Sequence, residues 1–574
     1  MTVSEYIFGF LQKKGCETVY MVSGSSAMWL TDALQRNRGL QAVCCHHEQA
    51  AAMAADCYGR TRGIPGVCLA TIGPGALNVM TGAAGAFLDS SPMIVLTGQA
   101  NSRLLRYEME SGIRQHGTQS LSLEPIVSPI VKYFACLLEP EDTRTIMERA
   151  WYEAVSGRRG PVWIDIPVDI QNRQVPEEMS AYVPKQVEGT AWDLRPIAHG
   201  IAEARKPLIL AGGGVRSAGA CERLRELCQR WGVPVVVSRG GIDVIPSDSA
   251  YFVGRPGSYG DRASHFAIQQ CDYLLILGSR LSVSTTGYYP QRFAQNAYKV
   301  MVDIDRKELE KPDVPIDSRL CMDIREFLSQ MDELADGSGP ESHAEWLDHC
   351  RAMRHQYPNV LAAYALERPL NSYYFTKILS QHTPPEADIV VDTGSVCNIV
   401  SQSWELKEGQ RYLISGGLSA MGFWAGAAGA VRDGRQVIAL AGDGSVQMNV
   451  QEFATLHYNR LPVKLFVFQN SGYMLIRHNQ HNYMNDRFLG VGADSGLETP
   501  DFCKVAAAYG LDSCELTVED DLETAVQEIL SREGPFVCQV RVQAFGEIAP
   551  KIASRVMPDG SLKAAEFDDL YPFL

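Results

Sequence analysis

Residues 436–445 read QVIALAGDGS, and residues 463–472 read VKLFVFQNSG. Each carries a continuous apolar run, residues 437–441 and 465–468, which is how a strand buried on both faces of a parallel sheet reads. Each closes on a loop of glycine and small polar residues. Twenty-five residues separate Gly444 from Asn470, enough for the crossover that joins two parallel strands. Ligands in such sheets bind in the crevice outside the carboxyl ends of the strands. Asp443 and Asn470 offer hard oxygen ligands for Mg²⁺ or Ca²⁺, ions that commonly bridge to phosphate. Gly442 and Gly444 allow backbone N–H groups close to a phosphate, and Ser445 opens a helix whose N-terminus favours anions.

The same grammar recurs outward along the chain. Residues 66–72 (GVCLATI), 93–97 (MIVLT), 14–20 and 162–166 read as strands of a first segment, with glycine-rich turns at 23–26 and 73–75. Residues 207–211 (PLILA), 235–237, 273–277 and 299–304 form a second set, and 389–392, 436–441, 463–469 and 536–542 a third. The alternation predicts an α/β protein of three doubly wound parallel-sheet domains, at 1–175, 190–330 and 365–550, with a C-terminal tail at 551–574. A Pro-, Glu- and Gln-rich stretch from Gln171 to about Gly189 reads as a linker, and a charged, Gly/Ser-containing stretch runs from Asp332 to Glu345.

Hydrophobic residues make up 46% of the 574 and charged residues 21%, an ordinary globular balance. Lysine and arginine total 52 against 67 acidic residues, a net charge of −15 without a basic block. That excludes nucleic acid and anionic membrane as partners. No apolar run reaches the ~18 residues needed to span a bilayer, and residues 1–15 carry no secretory pattern. Fifteen cysteines without a CxxC pair give no zinc site; they read as reduced, mostly buried thiols of a cytoplasmic protein.

GDG, about 25 residues, then Asn resembles the diphosphate and metal motif of thiamine-diphosphate-dependent enzymes, and the chain is similar end to end to their acetolactate synthase and 2-oxoacid decarboxylase group. His47-Glu48-Gln49-Ala50-Ala51 resembles the family's HEQAA motif, and Gly73-Pro74-Gly75 with Asn78 its GPG-x-x-N motif. Residues 416–422 (GGLSAMG) resemble the stretch that grips the pyrimidine. The resemblance implies that Glu48 hydrogen-bonds the pyrimidine and so activates the thiazolium carbon. Ser419 and Met421 would hold the cofactor, Met421 as a wedge between its rings. Asp443, Asn470 and the Gly472 carbonyl would ligate Mg²⁺. Gly442, Gly444, Ser445, Tyr473, Met474 and Leu475 would line the same site, and Cys397 and Asn398 fall where the family contacts diphosphate. The first domain would bind pyrimidine and the last diphosphate of a cofactor lying between two chains, so a homodimer is the minimum and a homotetramer the family's expectation.

The middle domain resembles the FAD-holding part of acetolactate synthases, through residues 212–214, 254–260 (GRPGSYG) and 278–280, and through Asp303 and Asp305, which suit ribose hydroxyls. It is equally readable as a purely structural domain. Two departures stand out. Ser284 occupies the place of the arginine that recognises the acceptor 2-oxoacid, and Asn479 that of a tryptophan. A serine cannot make a bidentate fork to a carboxylate. Arg255, Arg477, Lys551 and Arg555 are the cations available in compensation. Ser25 falls where related decarboxylases place a substrate-binding serine, or it caps the following helix. His116 and Gln119 fall where relatives place polar active-site groups; the tail, including residues 550–561, reads as a lid. The expected activity is Mg²⁺-dependent decarboxylation of a 2-oxoacid, pyruvate first, with carboligation to an aldehyde, ketone or keto-sugar. Proteins of bacterial glycan clusters are similar in these stretches. The rivals are a true acetolactate synthase, an FAD-dependent oxidase, and a non-catalytic cofactor-binding regulator.

Overall fold

A computed structural model describes residues 1–185, 191–334, 340–556, 559 and 562–574. Three six-stranded sheets, parallel throughout, carry the chain. The first holds β1 (Thr18–Met21), β2 (Gln41–Cys44), β3 (Gly66–Ala70), β4 (Met93–Gln99), β5 (Tyr133–Cys136) and β6 (Pro161–Pro167), in the order β2-β1-β3-β4-β6-β5. The middle sheet holds β7 (Pro207–Ala211), β8 (Val235–Val237), β9 (Phe252–Gly254), β10 (Tyr273–Leu277), β11 (Tyr298–Asp303) and β12 (Ser318–Cys321), ordered β12-β11-β10-β7-β8-β9. The third holds β13 (Asp388–Val391), β14 (Arg411–Ile414), β15 (Val437–Gly442), β16 (Val463–Gln469), β17 (Asp512–Leu516) and β18 (Phe536–Arg541), ordered β14-β13-β15-β16-β18-β17.

The outer domains thus share one strand order, whereas the middle one has the order of dinucleotide-binding folds. In each, a topological switch point opens between two neighbouring strands: β1 and β3, β7 and β10, β13 and β15. All residues of β3, β4, β6, β7, β8 and β10 are buried, which explains their continuous apolar runs. The linker begins later than its composition indicates. Gln171 is buried, donating to Ser26 O and Ile166 O, and Val3 N donates to Arg173 O, so the stretch through Val175 packs on the first domain. Its residues 186–189 lie outside the described residues, as do 335–339 of the second charged stretch. That stretch ends in structure, since a helix starts at Ala344.

One apolar core serves both outer sheets. The helix Glu48–Arg62 runs through it, with Ala50–Ala55 all buried. Small residues are required there: a Cβ on Gly429 would lie 1.7 Å from Ala54 O, and one on Gly82 would lie 2.4 Å from Ala52 Cβ. Alanine and glycine let the two sheets close on this helix and fix its first residue, Glu48.

The tail packs on the middle domain. Ile552 N donates to Ser258 O at 2.8 Å, and Arg262 Nη1 donates to Leu570 O at 3.0 Å. His265, fully buried, stacks on Phe567 at 4.1 Å between centroids. Its Nδ1 donates to Phe567 O, and Nε2 accepts from Gly257 N at 3.1 Å, the neutral form with both nitrogens satisfied. Burial pushes this imidazole down to about 4. A base depressed in the folded state adds stability above its unfolded pKa and loses it as pH falls from about 6.5 to about 4. The full loss is about 3 kcal/mol. Thermal unfolding of the wild type should therefore steepen in that window relative to His265→Asn; parallel pH profiles would refute it. Residues 557–558 and 560–561 of the tail lie outside the described residues.

Candidate active site

Glu48 begins its helix at the carboxyl end of β2, where His47 caps it by accepting from Gln49 N at 3.0 Å. Asn78, on the helix Pro74–Leu88, donates to Glu48 Oε2 at 3.0 Å. Gly75 leaves the other oxygen clear; a Cβ there would stand 3.1 Å from Glu48 Oε1. Gly73 makes the turn into that helix at φ +62, and a Cβ on it would meet Gln119 O at 3.0 Å. Gln119 and the GPG turn are thus neighbours. Ser25 is exposed in the loop after β1 and makes no capping bond, and Gly24 brings that loop against Thr71, after β3. Ser25, Glu48, Gly73, Pro74, Asn78 and Gln119 therefore gather around the first switch point. His116 lies on the same loop as Gln119, exposed, its ring 5.2 Å from Tyr107.

Two residues that the sequence reading missed support this half. Glu108, buried, accepts from His116 N, Gly117 N and Ser120 Oγ, so it holds the loop carrying His116 and Gln119. Burial opposes its ionisation, but these three donors outweigh it and keep its carboxyl below the usual range. Glu452, from the third domain, accepts His46 N at 3.0 Å and fixes the turn before Glu48. Neither stands in a motif; both act through backbone N–H groups that the sequence does not mark.

The second half lies at the carboxyl ends of β15 and β16. Asp443 is buried, and its Oδ2 accepts from Asn470 N at 3.1 Å and Gly472 N at 3.0 Å, its Oδ1 from Gly444 N at 2.8 Å. Burial pushes this carboxyl up to about 6 against the pull of those N–H groups. With its NH₂ turned inward, Asn470 donates to Gly472 O at 2.7 Å and Asp443 Oδ1 at 3.3 Å. With its oxygen inward, three oxygens converge with no hydrogen between them, the donor set a hard divalent cation takes. The residues fit Mg²⁺. Among the described residues no group of three or more His, Cys, Asp or Glu forms a cage, so such a cation would have one protein carboxylate and rely on a diphosphate for the rest.

Glycine is obligatory here. At Gly472, φ is +126 and a Cβ would lie 2.1 Å from Val491 O; at Gly444 it would lie 2.1 Å from Tyr473 Cε1. Tyr473 thereby packs on the GDG turn, and Met474, buried, starts the helix Met474–Met484, with Leu475 half-buried behind it. Ser445 is buried, Gly442 ends β15, and Ser419 sits exposed at φ +57 beside half-buried Met421. Cys397 and Asn398 occupy the first turn of the helix Ser395–Ser403, their side chains meeting Arg239 of the middle domain. No hydrogen bond among the described residues joins the Glu48 group to the Asp443 group; the two belong to different sheets.

The middle switch point opens into a cavity of about 1010 Å³, lined by Gly213, Gly214, Gly278 and Asp303. That is dinucleotide size. The Asp303 carboxyl remains available, accepting only from Asp305 N, at 2.9 Å, among the described residues. Asp305, expected at a ribose, is instead paired with Arg158 at 2.9 Å. Three of these compensating cations, Arg255, Arg477 and Lys551, are also spent on structure. Arg255 is buried, donating to Ser401 O, Ser247 Oγ and Trp404 O. Arg477 donates to Ser471 O and Val491 O, and the Lys551 ammonium lies over the Tyr571 ring.

Residues 1–124, 194–331 and 392–540 match, in turn, the N-terminal TPP binding, central and C-terminal TPP binding domains of thiamine pyrophosphate enzymes. The chain is 32% identical over 561 residues to acetolactate synthase isozyme 1 large subunit of Escherichia coli (strain K12), covering 96% of each chain. It is 30% identical to the isozyme 2 large subunit of the same strain, over 96% of this chain and 97% of the relative. It is 31% identical to the chloroplastic acetolactate synthase of Arabidopsis thaliana, over 95% and 82%. Three domains matched in order and likeness along nearly the whole length place the chain in the thiamine-pyrophosphate-dependent enzyme family, as an acetolactate synthase-like member.

Proposed function

We propose that the protein decarboxylates a 2-oxoacid, pyruvate first, and joins the remaining two carbons to an acceptor carbonyl. The observation that carries this is the oxygen set of Asp443, Asn470 and Gly472, built for a cation that binds a diphosphate. Thiamine diphosphate, when bound, supplies the carbanion chemistry that releases CO₂ and forms the new carbon–carbon bond. The chain's own residues do the rest. Glu48 presents a carboxylate oxygen, oriented by Asn78, to exchange a proton with the pyrimidine; Asp443, Asn470 and Gly472 anchor Mg²⁺; Met421 supports the ring geometry. Ser25, His116 and Gln119 stand on exposed loops at the pyrimidine half, polar groups able to meet a carbonyl oxygen as it gains charge.

Each half-site is incomplete by itself, so a partner chain supplies the other half, in a dimer or a dimer of dimers. The middle cavity suits a nucleotide: FAD or an anionic part of the acceptor. A flavin passing electrons to O₂ would reveal itself by oxygen uptake with pyruvate.

Ser284 lines a cleft of about 40 Å³ with Asn398 and Tyr259, its hydroxyl bonded to Ser282 Oγ at 2.8 Å. No guanidinium fork reaches into the cleft from this position, so a second pyruvate should be a poor acceptor. Protein, thiamine diphosphate, Mg²⁺ and pyruvate with a panel of aldehydes and ketones, read by mass spectrometry, tests this. Acetolactate from pyruvate alone should be minor, and Ser284→Arg should raise it about tenfold, the worth of one charge-assisted contact. Dominant acetolactate from the wild type, with the panel unreacted, would instead favour the second reading, true acetolactate synthesis, which the full-length relatives support.

A further inference from the structure

The large cavity at the middle switch point, lined by residues of all three domains, and the small cleft have two lining residues in common, Arg239 and Ser284. The two spaces adjoin at these residues. On the cleft side stand Asn398 and Tyr259. Arg239 follows β8 and is half-buried; its Nη2 donates to Asn398 Oδ1 and reaches Cys397 Sγ at 3.4 Å. Its Nε and Nη1 have no partner among the described residues, and no carboxylate there pairs with it. Three other cavity arginines are neutralised, Arg60 by Asp56, Arg158 by Asp305 and Arg411 by Asp243. A half-desolvated guanidinium with open donors and no counter-charge is a receptor for an oxyanion. The surroundings agree: nine arginines and six carboxylates line the cavity of a chain whose net charge is −15. Such a local excess draws anions to it. Ser284, the other shared residue, is small and neutral.

We propose that the acceptor is a carbonyl compound bearing a phosphate, threaded between Arg239 and Ser284, with its carbonyl end in the cleft beside Asn398 and its phosphate held by Arg239 in the cavity. The volumes fit this division: the cleft, about 40 Å³, takes a carbonyl and its nearest substituents, and the cavity, about 1010 Å³, takes the remainder. The inference rests on the carboligase reading above and names its second substrate.

The full-length protein with thiamine diphosphate, Mg²⁺ and pyruvate is supplied with glyceraldehyde or glyceraldehyde 3-phosphate, and adduct and CO₂ are both measured. The wild type should favour the phosphorylated aldehyde in kcat/KM by at least about tenfold. Arg239→Met should erase most of that preference, chiefly through KM, and Arg239→Lys should recover part of it. Equal use of the two aldehydes by the wild type overturns the proposal. So does an Arg239→Met loss falling equally on both, which is what a purely structural role through Asn398 would give. Flavin that stays bound stoichiometrically through turnover overturns it as well, by filling the cavity. If the wild type releases no CO₂ from pyruvate, the carboligase reading fails and this one with it; CO₂ release without phosphate preference overturns this one alone.

Discussion

Glu48→Gln is expected to lower CO₂ release from pyruvate by about 10²–10⁴-fold, the range spanned by removal of a positioned proton-transfer group. The substitution keeps the shape and the bond with Asn78, since an amide oxygen still accepts from Asn78 Nδ2. It removes only the ability to exchange a proton. Thermal stability and thiamine diphosphate affinity should therefore stay close to wild type. A variant that turns over at the wild-type rate would show that Glu48 does not face the cofactor.

Asp443→Asn should act on a different observable. An amide at this position cannot supply the carboxylate charge a divalent cation requires, so Mg²⁺-dependent thiamine diphosphate binding should weaken by more than about 100-fold. The fold should survive, because burial already disfavours the charged carboxyl and Asn oxygen can accept from the N–H groups of Gly444, Asn470 or Gly472. In the wild type the raised carboxyl sets a pH limit: protons compete with the cation as pH falls through about 6, so cofactor affinity should drop there. Calorimetric titration of cofactor at pH 7.5 and 5.5 measures both effects; unchanged affinity in Asp443→Asn would remove Asp443 from the metal site.

The sequence was legible where burial was complete. In all three sheets the four central strands were read from their apolar runs, and both edge strands were passed over: β2 and β5, β9 and β12, β14 and β17. The physics of an edge accounts for this. β5 is half-exposed along its length, β2 and β12 each bury one residue of four, and β9 has only three residues. An edge strand covered on one side need not be apolar on both faces, and a short one leaves too few residues for a pattern. At the site, residues held by local geometry announced themselves: Gly472 and Gly444 because no side chain fits, Asp443 because it follows a buried strand. Groups acting through tertiary contacts did not. Arg239 reads as an ordinary loop cation, and only folding sets it beside Asn398; Glu108 reads as a helix-surface acid, and only folding turns it under the His116 loop. Arg255 misled in the opposite sense, since its neighbours in sequence gave no hint that three carbonyl and hydroxyl oxygens would enclose it.

The separation of Glu48 from Asp443 onto different sheets has a consequence for inheritance. If each working centre takes Glu48 from one chain and Asp443 from its partner, a cell carrying two defective alleles, one altered at each position, is not without enzyme. In a mixed pair one centre collects both lesions and the other collects neither. Defects at the two positions would then complement each other, whereas two defects at the same position would not, so a genetic cross would divide the active centre into the same two halves that the sheets do.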